Sequence, residues 1–325
     1  MPRIYYTATN YQGNYMHLNS IEEQSVLCRK IDLYRAMITV GSPSFFSLND
    51  IRTNGFFRTI VNSVIQKILL VKINIESNQN GMYLHPIFDT HVSDQKRIVS
   101  YNLGMAFAKI YAEKLLNIPN LIHVETLKKS GAVIFNNQVE NRREPDLVGV
   151  TSDGNWHVFE AKGMSTNQLR PKLIEAKQQA QKIDTIHGQA PETSSACATY
   201  FSNIKILSAI EDPKGESEKK IEIDFSKFVD SYYNPFLAFK RVEPSEIKME
   251  KIENLNFQTI EIKIDSLHLS IGIEEELNEL LEQKNYSQIR EYYIKLKDRL
   301  GQYYDNNKSN FSFGMDGIIV KYSNY

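Results

Sequence analysis

Three charged residues stand at one end of a short two-strand pattern. In "EPDLVGVTSDGNWHVFEAKG", residues 144–163, Asp146 follows Pro145 and opens an apolar run, and a second apolar run closes on Glu160-Ala161-Lys162. Between the runs, Asp153-Gly154 is a strong turn signal. Side chains alternate faces along a strand, so Trp156, Val158, Glu160 and Lys162 share one face, and His157, Phe159 and Ala161 share the other. Asp146 and Glu160 are 14 positions apart, about what two short strands and a turn consume. Pairing of the strands therefore sets Asp146 beside Glu160 and Lys162. Neighbouring carboxylates on an otherwise apolar face repel each other unless a cation sits between them. A hard divalent ion, Mg²⁺ or Mn²⁺ in its place, takes oxygen ligands. Asp146, Glu160 and the backbone carbonyl of Ala161 could supply them. Such an ion lowers the pKa of a bound water and stabilises charge on a phosphate, while Lys162 orients the attacking water or helps to deprotonate it.

The flanking sequence supplies elements to hold that hairpin. "SYNLGMAFAKIYAEKLLNIPN" has apolar residues at helical spacing and stops before Pro119; "NLIHVETL" is branched and strand-like. After the hairpin, Ser165 or Thr166 can cap a long helix, "QLRPKLIEAKQQAQKIDTI", and "ATYFSNIKILSAI" reads as a fourth strand. The order over residues 99–210 is α-β-β-β-α-β. Before it, a strand is expected near Ile4–Ala8, and the capping-box spacing of Ser20 and Glu23 predicts a helix from about Ile21. A helix of about 15 residues is expected within 50–73, and 77–98 reads as irregular. Beyond residue 210 the pattern predicts a strand (221–225), a helix (226–240), two strands (257–273), a charged helix (274–299) and a strand at "GIIVKY". The fold class is α/β, with an N-terminal α+β extension (1–98), a core (99–210) and a C-terminal α+β extension (211–325).

Pro-Asp followed by acid-x-Lys, in that element order, resembles the PD-(D/E)xK superfamily, the restriction-endonuclease-like nucleases, over roughly residues 100–210, about a third of the chain. The acid-x-Lys triplet recurs, as at Glu175/Lys177 and Glu282/Lys284, but Pro145-Asp146 is the only Pro-Asp pair, and only Glu160/Lys162 ends the strand that follows it. The resemblance implies a central mixed sheet flanked by helices and metal-dependent hydrolysis of phosphodiester bonds, with DNA as the expected substrate. It assigns Asp146 and Glu160 as Mg²⁺ ligands and Lys162 as the catalytic lysine. It also implies a prokaryotic restriction or anti-phage setting, and a homodimer whose two sites cut two strands. The rival readings are a non-catalytic nucleic-acid-binding or scaffold subunit, and an unrelated α/β protein whose C-terminal part mediates assembly.

Members of that superfamily often add a glutamate from the first core helix. Glu113, on the apolar stripe of its helix, is the candidate here, also as a metal ligand, with Glu125 and Glu144 as rivals. A polar residue on the following helix often faces the site too, a part for Gln178 or Gln181, with Gln178 preferred. Lys162 to Lys182 holds five Lys or Arg against one acid. Arg142, Arg143, Arg170, Lys172 and Lys177, with Lys128 and Lys129, could therefore track phosphates beside the site. The whole chain, with 38 Lys and Arg against 39 Asp and Glu, has no global field to draw nucleic acid. Cys28 and Cys197 form no disulfide or zinc framework, and no signal peptide or apolar run of roughly 20 residues is present, so a cytoplasmic protein away from membranes is expected. His85 and His91, flanking Asp89, read as loop histidines. There is no Walker loop, so ATP-driven translocation would need a partner such as an ATPase.

Overall fold

The computed structural model describes residues 2–40, 48–135, 144–213, 219–242, 247–264, 267–304 and 310–323. One mixed sheet contains seven strands: β1 (Arg3–Thr9), β2 (Ser20–Leu27), β3 (Asn120–His123), β4 (Leu147–Val150), β5 (Trp156–Met164), β6 (Thr193–Tyr200) and β7 (Leu207–Glu211). They run across the sheet as β2-β1-β7-β6-β5-β4-β3. Four helices bear on the argument: α1 (Lys30–Thr39), α2 (Ser93–Leu116), α3 (Leu169–Ala180) and α4 (Phe225–Val242). The strands β3, β4 and β5 form an antiparallel meander. A parallel neighbour needs a crossover, and α3 provides it between β5 and β6. β7 turns back antiparallel on β6, β1 joins β7 in parallel, and β2 closes the far edge.

Helices cover both faces of the sheet, as the alternation in β5 requires. Phe159 and Ala161 pack with Leu103, Ala106 and Phe107 of α2. Val158 belongs to a second core with Val148 and Val150 of β4. Ala196 lies opposite Glu160 in register and packs against Ala176 and Ala180 of α3. The contact between α2 and β5 has no side-chain layer at its centre. A Cβ on Gly163 would lie 1.8 Å from the carbonyl oxygen of Ser100, and one on Gly104 would lie 2.8 Å from the amide nitrogen of Gly163. The α2 helix ends where Asn117 turns left-handed (φ 55°), two residues before Pro119. It starts in a segment the sequence reads as irregular: the helix begins at Ser93, not near residue 99, although its buried residues begin only at Val99.

The C-terminal part forms a five-stranded antiparallel sheet of Ile247–Ile252, Leu255–Ile264, Leu267–Glu274, Ile318–Ser323 and Phe311–Phe313. Its residues Phe257, Ile273 and Phe313 share a core with Phe228 and Val229 of α4. The expected charged helix is two, Glu275–Glu282 and Tyr286–Tyr304. No helix among the described residues is long and apolar enough to cross a membrane.

Four local expectations are corrected. The strand expected over residues 120–127 stops at His123, and Val124–Ser130 is a helix. Residues 20–27 form the edge strand β2, not a helix, because Ser20 Oγ accepts the Glu22 N–H (3.1 Å) in a local turn and the backbone then pairs with β1. The helix after the hairpin stops at Ala180, and Ile183–Ile186 pairs with Lys219–Ile223 in a three-stranded sheet. The expected fourth strand is two, β6 and β7, broken at a turn where Ser202 Oγ accepts the Ile204 N–H at 3.0 Å.

Candidate active site

The hairpin of β4 and β5 turns at Gly154, whose φ of +88° suits a residue without a Cβ, and Leu147 pairs with Phe159 at its open end. One residue beyond that pair, each acid accepts a backbone N–H from the other strand. The Asp146 N–H donates to Glu160 Oε2 at 2.9 Å, and the Ala161 N–H donates to Asp146 Oδ2 at 3.2 Å. The Asp146 carbonyl accepts the Val124 N–H at 3.0 Å, which ties the same residue to the end of β3. An extended residue directs its N–H and C=O to the same neighbour. The Ala161 carbonyl therefore lies on the Asp146 side, past the last ladder pair. Lys162 Nζ lies 2.6 Å from Glu160 Oε1, donates to Gln179 Oε1 at 3.0 Å and lies 3.7 Å from Glu175 Oε1. Glu160 is fully buried, and Lys162 keeps 19% of its side chain exposed.

The electrostatics are those of an under-compensated acid pair. Burial, and then the charge of Asp146, pushes the Glu160 carboxyl up to about 8 against the pull of Lys162. Burial also raises Asp146, opposed by Lys162 and by the Ala161 N–H. For Lys162, burial works downward, but the carboxylates of Glu160, Asp146 and Glu175 outweigh it and hold the ammonium above its usual range. Without a cation, the pair therefore retains a proton at neutral pH. Glu160 Oε1 is buried with no donor aligned for a hydrogen bond, although the Lys162 ammonium is close.

That donor set fits a divalent cation that keeps several waters: two carboxylates, one of them with a buried oxygen that lacks an aligned donor, and the Ala161 carbonyl. Asp146, Glu160 and Ala161 would hold it. Among the described residues no group of three or more His, Cys, Asp or Glu gathers as a metal site.

Glu113 is not part of this site. Both its oxygens accept from Arg35 Nη2, at 2.8 and 2.9 Å, and Lys109 lies 4.0 Å away. Asp316 completes that buried cluster, 3.3 Å from Arg35 Nη1 and 3.6 Å from Lys109 Nζ. An acid on an apolar stripe needs a partner, and Glu113 has found one 78 residues earlier in the chain. The rivals are engaged as well: Glu144 pairs with Lys128 and with Lys219, and Glu125 pairs with Lys129 on an exposed helix face. Gln178 is exposed, and its neighbour Gln179 is the residue that reaches Lys162. Gln181 caps the end of α3.

Of the expected phosphate-tracking residues, Lys172 pairs with Glu175 at 2.6 Å, Lys177 pairs with Glu211 at 2.5 Å, and Arg170 is exposed. Arg142 and Arg143 lie outside the described residues. His85 Nδ1 accepts the Ile87 N–H and His91 packs on Phe88, as loop histidines do. His157 sits on the opposite face of β5 and bonds Thr193 Oγ1 at 2.9 Å.

Three neighbours were not anticipated from the sequence. Glu175 and Gln179 are one helical turn apart on the side of α3 that also buries Ala176 and Ala180. Tyr101, in the third turn of α2, has its hydroxyl pushed up to about 12 by burial and then by the charges of Asp146 and Glu160. The 3.6-residue period, anchored on Ala176 and Ala180, would have selected Gln179 over Gln178. No protein-family model, curated protein or solved structure matches the chain.

Proposed function

We propose that the chain is a metal-dependent nuclease of the PD-(D/E)xK type that hydrolyses phosphodiester bonds, with DNA as its substrate. The observation that carries this reading is the convergence of Asp146, Glu160 and Lys162 at the open end of one hairpin, through contacts of 2.6–3.2 Å. A mixed sheet covered by helices supports it more broadly: α2, β3, β4, β5, α3 and β6 follow one another in that order, with the helix Val124–Ser130 and the strands Val133–Phe135 and Ile183–Ile186 interposed.

Asp146, Glu160 and the Ala161 carbonyl would hold Mg²⁺, which when bound acidifies a water ligand and neutralises phosphate charge. The chain's own groups do the remainder. Lys162 stays charged because carboxylates surround it. Its Nζ acts as a fixed positive donor to the attacking water or to a phosphate oxygen, rather than as a free base. Gln179 and Glu175 orient that ammonium from α3. The Tyr101 hydroxyl, kept protonated, is available as a further donor at the rim.

The test is cleavage of supercoiled plasmid, single-stranded DNA and RNA with Mg²⁺, Mn²⁺ or EDTA, comparing the native chain with Asp146→Ala and Lys162→Ala. Metal-dependent cutting that both variants lose supports the reading and identifies the substrate. Binding without cutting would replace it with a non-catalytic nucleic-acid-binding module.

A further inference from the structure

A second polar region lies at the far end of α2. A cleft of about 510 Å³ opens where the start of β1, the end of β2, the C-terminal turn of α2 and the helix Tyr286–Tyr304 meet. Its charged walls are Arg3, Arg29, Lys114 and Lys297, against Asp32 and Glu113. Neither acid offers uncompensated charge. Asp32 pairs with the Arg29 guanidinium at 2.9 Å and accepts the Arg29 N–H at 2.7 Å, and Arg35 holds both oxygens of Glu113. Burial would raise the Asp32 carboxyl, yet Lys114 and Arg29 together hold it below its usual range. Four cationic side chains line the cleft against two paired acids, an excess of positive charge. The C-terminus of α2 accounts for Lys114, whose Nζ also donates to the Leu27 carbonyl at 2.5 Å. It does not account for Arg3 or Lys297. Among the described residues Arg3 bonds only Ser25 Oγ (2.8 Å), and Lys297 is exposed on the opposing wall. Apart from the polar Ser25 and Asn117, the remaining lining is apolar, with Val26, Leu27, Leu300 and Met315.

We propose that this cleft binds a small nucleoside phosphate, with the phosphates between Arg3, Lys114 and Lys297 and the base against the apolar wall. The volume falls within the few hundred to a thousand Å³ of small-molecule sites, and a few charged groups converging on an apolar floor are what such sites share. Charge-assisted bonds from three elements fix a phosphate more firmly than one lysine could. The site is independent of the hairpin: Tyr101 and Glu113 are 12 positions apart on α2, which at 1.5 Å per residue is about 18 Å.

The experiment is titration of the full chain with ATP, with inorganic pyrophosphate and with a single-stranded 20-mer, in EDTA so that the hairpin holds no metal. Calorimetry and thermal melting give the readouts. The comparison protein carries Arg3→Glu and Lys297→Glu, two exposed positions away from the hairpin, and its unliganded melt reports whether it folds. ATP binding with a dissociation constant below about 1 mM, weakened at least tenfold by the double substitution, is the expected result. Three results would overturn the proposal: no binding of ATP, equal binding by the two proteins, or binding of the 20-mer or pyrophosphate without ATP. Were Arg3→Glu with Lys297→Glu to unfold the chain, Lys297→Ala alone applies the same criterion with a smaller expected loss, about threefold to tenfold.

Discussion

Replacing Glu160 by Gln probes the acid pair without using activity. In metal-free protein the Glu160 carboxyl is pushed from its ordinary 4.5 to about 8, by burial and by Asp146. The folded state therefore binds more protons than the unfolded state between those two values. Stability is fully present below pH 4.5 and is lost as pH rises toward 8. At about 1.4 kcal/mol per pH unit, the cost of deprotonation across that window is on the order of 3–5 kcal/mol, shared with Asp146 because the two titrate together. Glu160→Gln keeps an oxygen to accept the Asp146 N–H and removes the charge. The assay is thermal melting of both proteins in EDTA from pH 5 to pH 8.5, read as the difference between them. Taking the difference cancels groups common to both, including Asp212, which burial pushes up to about 6. The variant should lose less stability than the native protein on raising the pH and should melt several degrees higher at pH 8.5. Mg²⁺ should then raise the native melt at pH 8 and leave the variant unchanged, since a ligand stabilises only the state that binds it. A native protein whose stability runs parallel to that of Glu160→Gln across the window would refute the crowded acid pair, and with it the physical case for a cation there.

Other substitutions test the frame around the site. Gly163→Ala would place a methyl 1.8 Å from the Ser100 carbonyl oxygen, so helix and strand must separate; a loss of about 2–4 kcal/mol is expected in denaturant unfolding, at or above the upper range of overpacking. Glu113→Gln removes one of the two carboxylates paired with buried Arg35, leaving Asp316, and should cost about 3 kcal/mol, the lower end of what breaking a buried pair costs, while the Mg²⁺-induced melting shift stays as in the native chain. Gln179→Ala removes an acceptor 3.0 Å from Lys162 Nζ and should lower cleavage by about tenfold, whereas Gln178→Ala should leave it unchanged.

The hairpin was legible because its signals are local. Period-2 alternation, one Asp-Gly turn and two acids 14 positions apart fix which side chains meet, and the register Leu147 to Phe159 follows from them. The α-β-β-β-α-β order was legible in part for the same reason: it holds for α2, the strands of the large sheet and α3, while the helix Val124–Ser130 and the short strands Val133–Phe135 and Ile183–Ile186, which lie outside that sheet, interrupt it. What was not legible depends on partners remote in sequence. Glu113 looked like a catalytic acid because an unpaired carboxylate on a buried stripe demands an explanation; Arg35 supplies one that no local pattern announces. Residues 20–27 have the Ser-x-x-Glu spacing of a helix start, but the unpaired edge of β1 captures them as a strand. On α3 the choice between Gln178 and Gln179 turned on about 100° of helical rotation, which buried Ala176 and Ala180 set only once the helix lies on β6.

The bare contact between Gly104 and Gly163 also has a mechanical side. Where two elements meet through side chains, rotamer changes can absorb a shift. Here helix and strand touch through backbone, so neither can translate across the contact without carrying the other. The α2 helix is thus a stiff lever with its fulcrum at Gly104. Tyr101, beside the acid pair, lies three positions from that fulcrum, and Glu113, at the edge of the cationic cleft, lies nine positions from it on the other side. A tilt of α2 about Gly104 would therefore displace Glu113 about three times as far as Tyr101, so a displacement at the cleft would reach the hairpin reduced and in the opposite sense.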